Sequence, residues 1–278
     1  MNKYLRLFRF GNGTMGIIGI VGGALLAAGT DVLDHWAWII LACVLVVLFM
    51  AGGNAINDYI DREIDVLAHP DRPIPRGEIK PETARNLGYA LLVISVILSL
   101  PCVILDEAGG WVTTVMVIVC AALMLAYETA FKQRGFVGNL TIAFLTAMIF
   151  MVGGAVTGHP WDNAVFAGMA FLVNVGREVS KDIEDMASDE GSRRTLPMSV
   201  GADKAALVAA VFFVLGPILS IYPILAGDAG WAYLVVILAD AIFLYCAYIV
   251  KGDAHRAQKL SKAAMMVALV GFILDVII

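Results

Sequence analysis

Two short stretches of this 278-residue chain set acidic side chains at helical spacing. The first reads Asn54-Ala-Ile-Asn57-Asp58-Tyr-Ile-Asp61-Arg62-Glu63-Ile-Asp65. Asn57, Asp61 and Asp65 stand at i, i+4 and i+8, on one face of a helix, with Asn54 and Asp58 flanking the stripe. The second runs from Asn174 to Asp189, where Glu178, Asp182, Asp185 and Asp189 fall at i, i+4, i+7 and i+11, with Arg177 and Lys181 beside them. Carboxylates one turn apart repel by a few tenths of a kcal/mol when exposed and by more near lipid, and a divalent cation relieves that repulsion. Oxygen donors with no His or Cys among them suit a hard ion such as Mg²⁺, which commonly joins one or two carboxylates to a substrate phosphate. Arg and Lys next to the carboxylates are what a diphosphate also needs. A single such cluster reads equally well as a solvated helix end; two matched clusters at one face argue against that.

The elements that must carry these stripes follow from composition. Hydrophobic residues make up 60% of the chain and charged ones 15%, with a mean hydropathy of +0.84. A soluble domain of this size carries charge nearer one residue in four, so the chain is expected to be an all-α membrane protein. Apolar stretches long enough to span about 30 Å of hydrocarbon lie near 12–30, 36–57, 84–105, 110–130, 139–158, 161–180, 203–226, 230–250 and 260–278, which predicts nine transmembrane helices. With the N-terminus inside and the C-terminus outside, all 19 Lys and Arg fall on the inner side, as the positive-inside rule requires. Asp31, Asp34, Asp106, Glu107, Asp162 and Asp228 fall on the outer side, so the formal charge of −5 is divided by the membrane and marks no acidic surface. The opening MNKYLRLFR resembles a signal n-region, but no clear cleavage site follows, and it reads as the start of a retained first helix. Cys43, Cys102, Cys120 and Cys246 are isolated within spans and read as packing residues. Asp240 is the one acid near the middle of a span and reads as a helix–helix hydrogen-bonding residue.

Two further segments carry polar groups. Tyr127 and Lys132 close the inner end of the fourth span; alone they fit an aromatic belt residue and a snorkelling Lys as well as a functional pair. The segment His69-Pro-Asp-Arg72-Pro73-Ile-Pro75-Arg76-Gly77 cannot be helical throughout. It is either a plain turn or a stiff cap that carries Arg72 and Arg76 over the first acidic stripe.

At these residues the sequence resembles the UbiA superfamily of intramembrane prenyltransferases. The NDxxDxxxD signature is Asn57, Asp58, Asp61 and Asp65; the second DxxxD is Asp185 to Asp189; and the YxxxxK element is Tyr127 and Lys132. Ser188 precedes Asp189 where many relatives carry Gly. RPIPRG (Arg72 to Gly77), REVSKDIED (Arg177 to Asp185) and TLP (Thr195 to Pro197) are most similar to the archaeal ether-lipid branch of that superfamily. The resemblance covers residues 1–278 as a single domain. It implies nine helices around a central cavity, with a polar mouth capped by the loops after spans 2 and 6 and a lateral opening to lipid.

What the resemblance implies chemically is Mg²⁺-dependent transfer of a geranylgeranyl group from geranylgeranyl diphosphate to geranylgeranylglyceryl phosphate, at the cytoplasmic side of the cell membrane. One ion is expected on Asn57, Asp61 and Asp65, and the other on Asp185 and Asp189, with Asp182 beside them at the substrate. Arg72, Lys132 and Lys181 are expected at the phosphate oxygens. Tyr127 is placed to shield developing positive charge through cation–π attraction. Arg76 or Arg177 is expected to hold an anionic, lipid-like acceptor. Besides substrates, the expected partners are membrane lipids, with no nucleic acid. An enzyme acting on an aromatic or quinone-precursor acceptor carries the same motifs. A lipid diphosphate phosphatase lacks an assignable nucleophile here, and a transporter predicts ionisable residues at mid-membrane that the sequence does not supply beyond Asp240.

Overall fold

A computed structural model describes residues 2–104, 110–186 and 194–278, and Asp189 of the second acidic stripe lies outside them. Among the described residues every regular element is helical: α1 (Lys3–Leu7), α2 (Phe10–Ala28), α3 (Trp36–Ile60), α4 (Arg62–Ala68), α5 (Pro81–Ile104), α6 (Gly110–Thr129), α7 (Phe136–Ala155), α8 (Ala164–Glu184), α9 (Leu196–Val200), α10 (Ala202–Ala226), α11 (Leu234–Ile249) and α12 (Ala254–Ile277). Seven helical runs are long and apolar enough to cross a membrane. The first, Phe10–Ile60, holds two of the expected spans, α2 and α3, joined by a 3₁₀ turn at Gly29–His35. The span expected at 161–180 is helical as α8 but is not among the seven, because Arg177, Glu178, Lys181, Asp182 and Glu184 crowd its last turns. The all-helical membrane class stands, and the count by length and composition is seven runs.

The chain divides into two compact units, residues 1–129 with 152–161, and residues 130–151 with 162–278. In the first, small residues bring helix backbones together, the contact that drives association where lipid removes the hydrophobic incentive. A Cβ on Gly88 of α5 would lie 3.0 Å from the Gly52 carbonyl oxygen of α3, so these two helices cross backbone to backbone. Gly153 likewise sits against α2, where a Cβ would come within 2.5 Å of the Ile20 carbonyl oxygen. In the second unit Phe213, Val175, Val179, Phe243 and Cys246 form the core, with the Phe213 and Phe243 rings stacked at 6.3 Å. Ser220 of α10 donates to Asp240 of α11 at 2.5 Å, the interhelical role expected of that acid. All four cysteines are free. Large apolar side chains such as Val93, Ile97, Leu207, Leu238 and Val270 point outward from the long helices, as they must in a protein solvated by lipid.

Candidate functional site

In the first unit the helical register outlasts α3. The Asp61 N–H donates to the Asn57 carbonyl and the Asp65 N–H to the Asp61 carbonyl, both at 2.9 Å, so the ladder runs through the turn at Asp61 into α4. The expected face of Asn57, Asp61 and Asp65 is kept. Burial then divides it: Asn57 and Asp61 are half-buried, whereas Asp58 is 1% exposed and Asp65 2%.

The partners divide the same way. The Asn57 amide donates to Asp61 Oδ2 and to both carboxylate oxygens of Glu128 on α6, each at 3.2 Å. Asp58 and Asp65 are held by arginines. Arg9 Nη2 donates to Asn57 Oδ1 at 2.9 Å and to Asp58 Oδ1 at 2.7 Å. Arg72 Nη1 donates to Asp65 Oδ2 at 2.6 Å and lies 3.4 Å from Asp58 Oδ1. Asp65, expected as a third metal ligand, is thus found in an ion pair with Arg72, itself expected at the substrate phosphates.

The 69–77 segment delivers Arg72 as a stiff cap. The Pro73 carbonyl accepts the N–H groups of Glu78 at 3.0 Å and Ile79 at 3.2 Å, and Gly77 takes φ +69°, which closes the turn where a side chain would be strained. Ile74 and Ile79 sink into a small core with Leu7, Ala55 and Ala84. Arg76 is half-exposed and ion-pairs through Nε with Glu78 Oε1 at 2.9 Å, while Arg6 donates to Glu78 Oε2 at the same distance. Between this loop and the N-terminal segment lies a cleft of about 580 Å³, walled by Arg6, Arg9, Asn12, His69 and Arg72 with Leu5, Phe10 and Pro70.

In the second unit α8 carries the other stripe. Asp182 is 8% exposed and accepts from Asn139 Nδ2 of α7 at 2.9 Å, while Asn139 Oδ1 is buried without a protein partner. Asp185 caps α8, its N–H donating to the Lys181 carbonyl at 2.9 Å, and is half-buried. Lys181 is exposed. Arg177 pairs with Glu178, and its Nε is buried without a partner. Tyr127 on α6 and Lys132 in the 3₁₀ turn Phe131–Gln133 are both half-buried, the first in unit one and the second in unit two.

Among the described residues no three His, Cys, Asp or Glu side chains converge as a ready-made metal cage. Mg²⁺ does not ask for one, since it keeps several waters and takes one or two carboxylates plus phosphate. Asn57 and Asp61 fit that role: hard oxygen donors side by side, neither fully buried. Three residues of the site escape the spacing argument. Arg9 reads in the sequence only as a topogenic charge. Glu128 is signalled by its neighbour Tyr127. Asn139 is a polar residue at the head of an apolar span, which is a functional flag in a membrane helix.

Comparison with known proteins places the chain in a family. Residues 16–270 match the UbiA prenyltransferase family. The chain is 37% identical to the digeranylgeranylglyceryl phosphate synthase of Thermococcus kodakarensis, over 93% of this chain and 92% of that one. It is 35% identical to the synthase of the same name from Methanosphaera stadtmanae, over 98% of both. Among solved structures, one of digeranylgeranylglyceryl phosphate synthase in membranes shares 29% identity at a TM-score of 0.82, covering 99% of this chain and 98% of that one. A UbiA homologue from Archaeoglobus fulgidus bound to GPP and Mg²⁺ shares the fold at a TM-score of 0.68 and 16% identity, covering 98% and 99%. The acidic helix ends, their arginines and this similarity along the whole length lead to one assignment: the chain belongs to the UbiA prenyltransferase family.

Proposed function

We propose that this protein is a digeranylgeranylglyceryl phosphate synthase, a single prenyltransferase domain over residues 1–278 that transfers a geranylgeranyl group from geranylgeranyl diphosphate to geranylgeranylglyceryl phosphate. The observation that carries the reading is the end-to-end similarity to synthases of that name. The accessible Asn57–Asp61 pair and the arginine-walled cleft beside it support it. The domain crosses the membrane nine times with its N-terminus and its polar mouth at the cytoplasmic side, and draws both substrates from the surrounding lipid.

Asn57 and Asp61 in one unit, and Asp185 and Asp189 in the other, would hold Mg²⁺. When bound, Mg²⁺ neutralises the charge that grows on the leaving diphosphate. The chain's own residues do the rest. Arg72, Lys132 and Lys181 orient the phosphate oxygens so that the C1–O bond to diphosphate is the one that breaks. Tyr127 faces the positive charge that develops at C1 and keeps water from it. Asp182, fixed by Asn139, orders the substrate side of α8. Arg76 or Arg177 takes the phosphate of the acceptor, whose hydroxyl oxygen forms the new bond to C1 as the C1–O bond breaks and gives up its proton to the released diphosphate.

The test is an acceptor comparison with purified protein, geranylgeranyl diphosphate and Mg²⁺. Geranylgeranylglyceryl phosphate is expected to be prenylated in preference to 4-hydroxybenzoate or a naphthoate. Preference for an aromatic acid would overturn the acceptor and leave the prenyl transfer intact.

A further inference from the structure

The stripe that looks uniform in sequence is two sets of groups in the structure. Asn57 and Asp61 are reachable from solvent. Asp58 and Asp65 are buried, and each is already neutralised by a guanidinium, with Arg9 at 2.7 Å on the first and Arg72 at 2.6 Å on the second. A hydrated Mg²⁺ needs room for its waters and near-octahedral geometry, which a carboxylate 2% exposed does not offer. Taking Asp65 as a ligand also strands Arg72 without its counter-charge, and unpairing one member of a buried ion pair is the costly way to break it.

The same geometry shows what these acids do instead. Arg72 spends only Nη1 on both carboxylates, and among the described residues no acceptor holds its Nη2. Arg9 spends only Nη2 on its two oxygens. Both guanidinium groups wall the cleft between the N-terminal segment and the 68–73 loop. A guanidinium anchored through one nitrogen presents the rest of its donor fork in a fixed direction, the arrangement that phosphate oxygens accept. Resting on the prenyltransferase reading above, we infer that Asp58 and Asp65 are positioning residues and not metal ligands: buried counter-charges that fix Arg9 and Arg72 on the cleft wall to receive the phosphate oxygens of the prenyl diphosphate.

The test uses Mn²⁺ and inorganic pyrophosphate as probes on the purified full chain, with no acceptor and no turnover. Mn²⁺ affinity, measured at pyrophosphate concentrations that saturate each variant, is expected to fall at least about tenfold in Asp61→Asn and to stay within about twofold of the parent in Asp65→Asn. Pyrophosphate affinity is expected to fall on the order of tenfold to a hundredfold in Asp65→Asn and equally in Arg72→Ala, and the double variant is expected to be no weaker than Arg72→Ala. Asp65→Glu restores part of that loss. Loss of Mn²⁺ in Asp65→Asn to the extent seen in Asp61→Asn overturns the inference, as do additive effects in the double variant. Should Asp65→Asn fail to fold, Asp65→Asn with Arg72→Gln removes both charges at once; intact Mn²⁺ binding there supports the inference and its loss overturns it. A parent that binds neither probe sinks both this inference and the enzyme reading. A parent that binds both yet prenylates nothing sinks only the latter.

Discussion

Asp61 and Asp185 occupy the same kind of place, each the first residue past a long helix, half-buried, with its backbone N–H still in the helical ladder. A carboxylate there is held by the helix without being sealed by it, which is what a metal exchanging with substrate requires. Asp61→Asn and Asp185→Asn are each expected to abolish turnover while the protein still purifies folded, and EDTA is expected to stop the reaction until Mg²⁺ is returned. Near-normal turnover of either variant at saturating Mg²⁺ would remove that residue from the site. In the proposed site the cations are expected to divide by substrate. Losing one charge-assisted contact of roughly 1.5–3 kcal/mol raises a KM on the order of tenfold to a hundredfold, so Arg76→Ala or Arg177→Ala is expected to weaken the acceptor more than the prenyl diphosphate, and Lys132→Ala the reverse. Steady-state kinetics with each substrate varied in turn decides this, and equal effects in all three leave the assignment unsupported.

At the scale of the element, the sequence speaks where the interaction is local. The i, i+4, i+8 face of Asn57, Asp61 and Asp65 is legible because helical spacing is a property of neighbours, and the ladder through Asp61 keeps it. The division of that face by burial is not legible, because it depends on Arg9, 49 residues before Asp58, and on a proline-punctuated loop whose two isoleucines bury themselves against α1, α3 and α5. Glycine spacing is legible only as permission for close approach; which helix approaches is settled in three dimensions. Gly153 and Gly168 show the difference. A Cβ at Gly153 meets backbone at 2.5 Å, whereas at Gly168 it meets only the Leu219 Cδ2 methyl at 3.1 Å. Gly153→Ala is therefore expected to destabilise by about 1–3 kcal/mol and Gly168→Ala to be near neutral, read as thermal unfolding of the detergent-solubilised protein. Equal melting temperatures would deny the tight α2 contact.

For the whole molecule, orientation rests on charge. Basic residues cluster beside the helix ends that carry the acidic stripes, and the segment between α10 and α11 has Asp228 and no Lys or Arg. In intact cells an impermeant thiol reagent is expected to label Asp228→Cys and to spare Glu82→Cys, both placed at exposed positions in a background without the native cysteines. The opposite pattern inverts the topology and puts the diphosphate site outside. The span expected at 161–180 is helical as α8 yet falls short as a wholly apolar run, because its first half is apolar and its last turns carry the second acidic stripe.

Arg9 joins α1 to α2 at φ +48°, the one non-glycine residue with a left-handed backbone among the described residues. That conformation costs an L-residue with a side chain about 1 kcal/mol, which Gly escapes and Asn tolerates. Position 9 therefore answers to two demands with different favourites, the backbone favouring Gly and the buried Asp58 carboxylate favouring Arg. In a saturation library scored for abundance in the membrane, Arg is expected to rank first, because every uncharged replacement leaves the buried Asp58 without its partner at 2.7 Å, with Gly and Asn next and Val and Ile, whose branched side chains resist this backbone most, at the bottom. Scored for growth that depends on the product lipid, the same library is expected to keep Arg and lose Gly and Asn, since neither brings a cation to Asp58. A redesign that weighed the backbone alone would replace the residue first and would silence the enzyme by doing so.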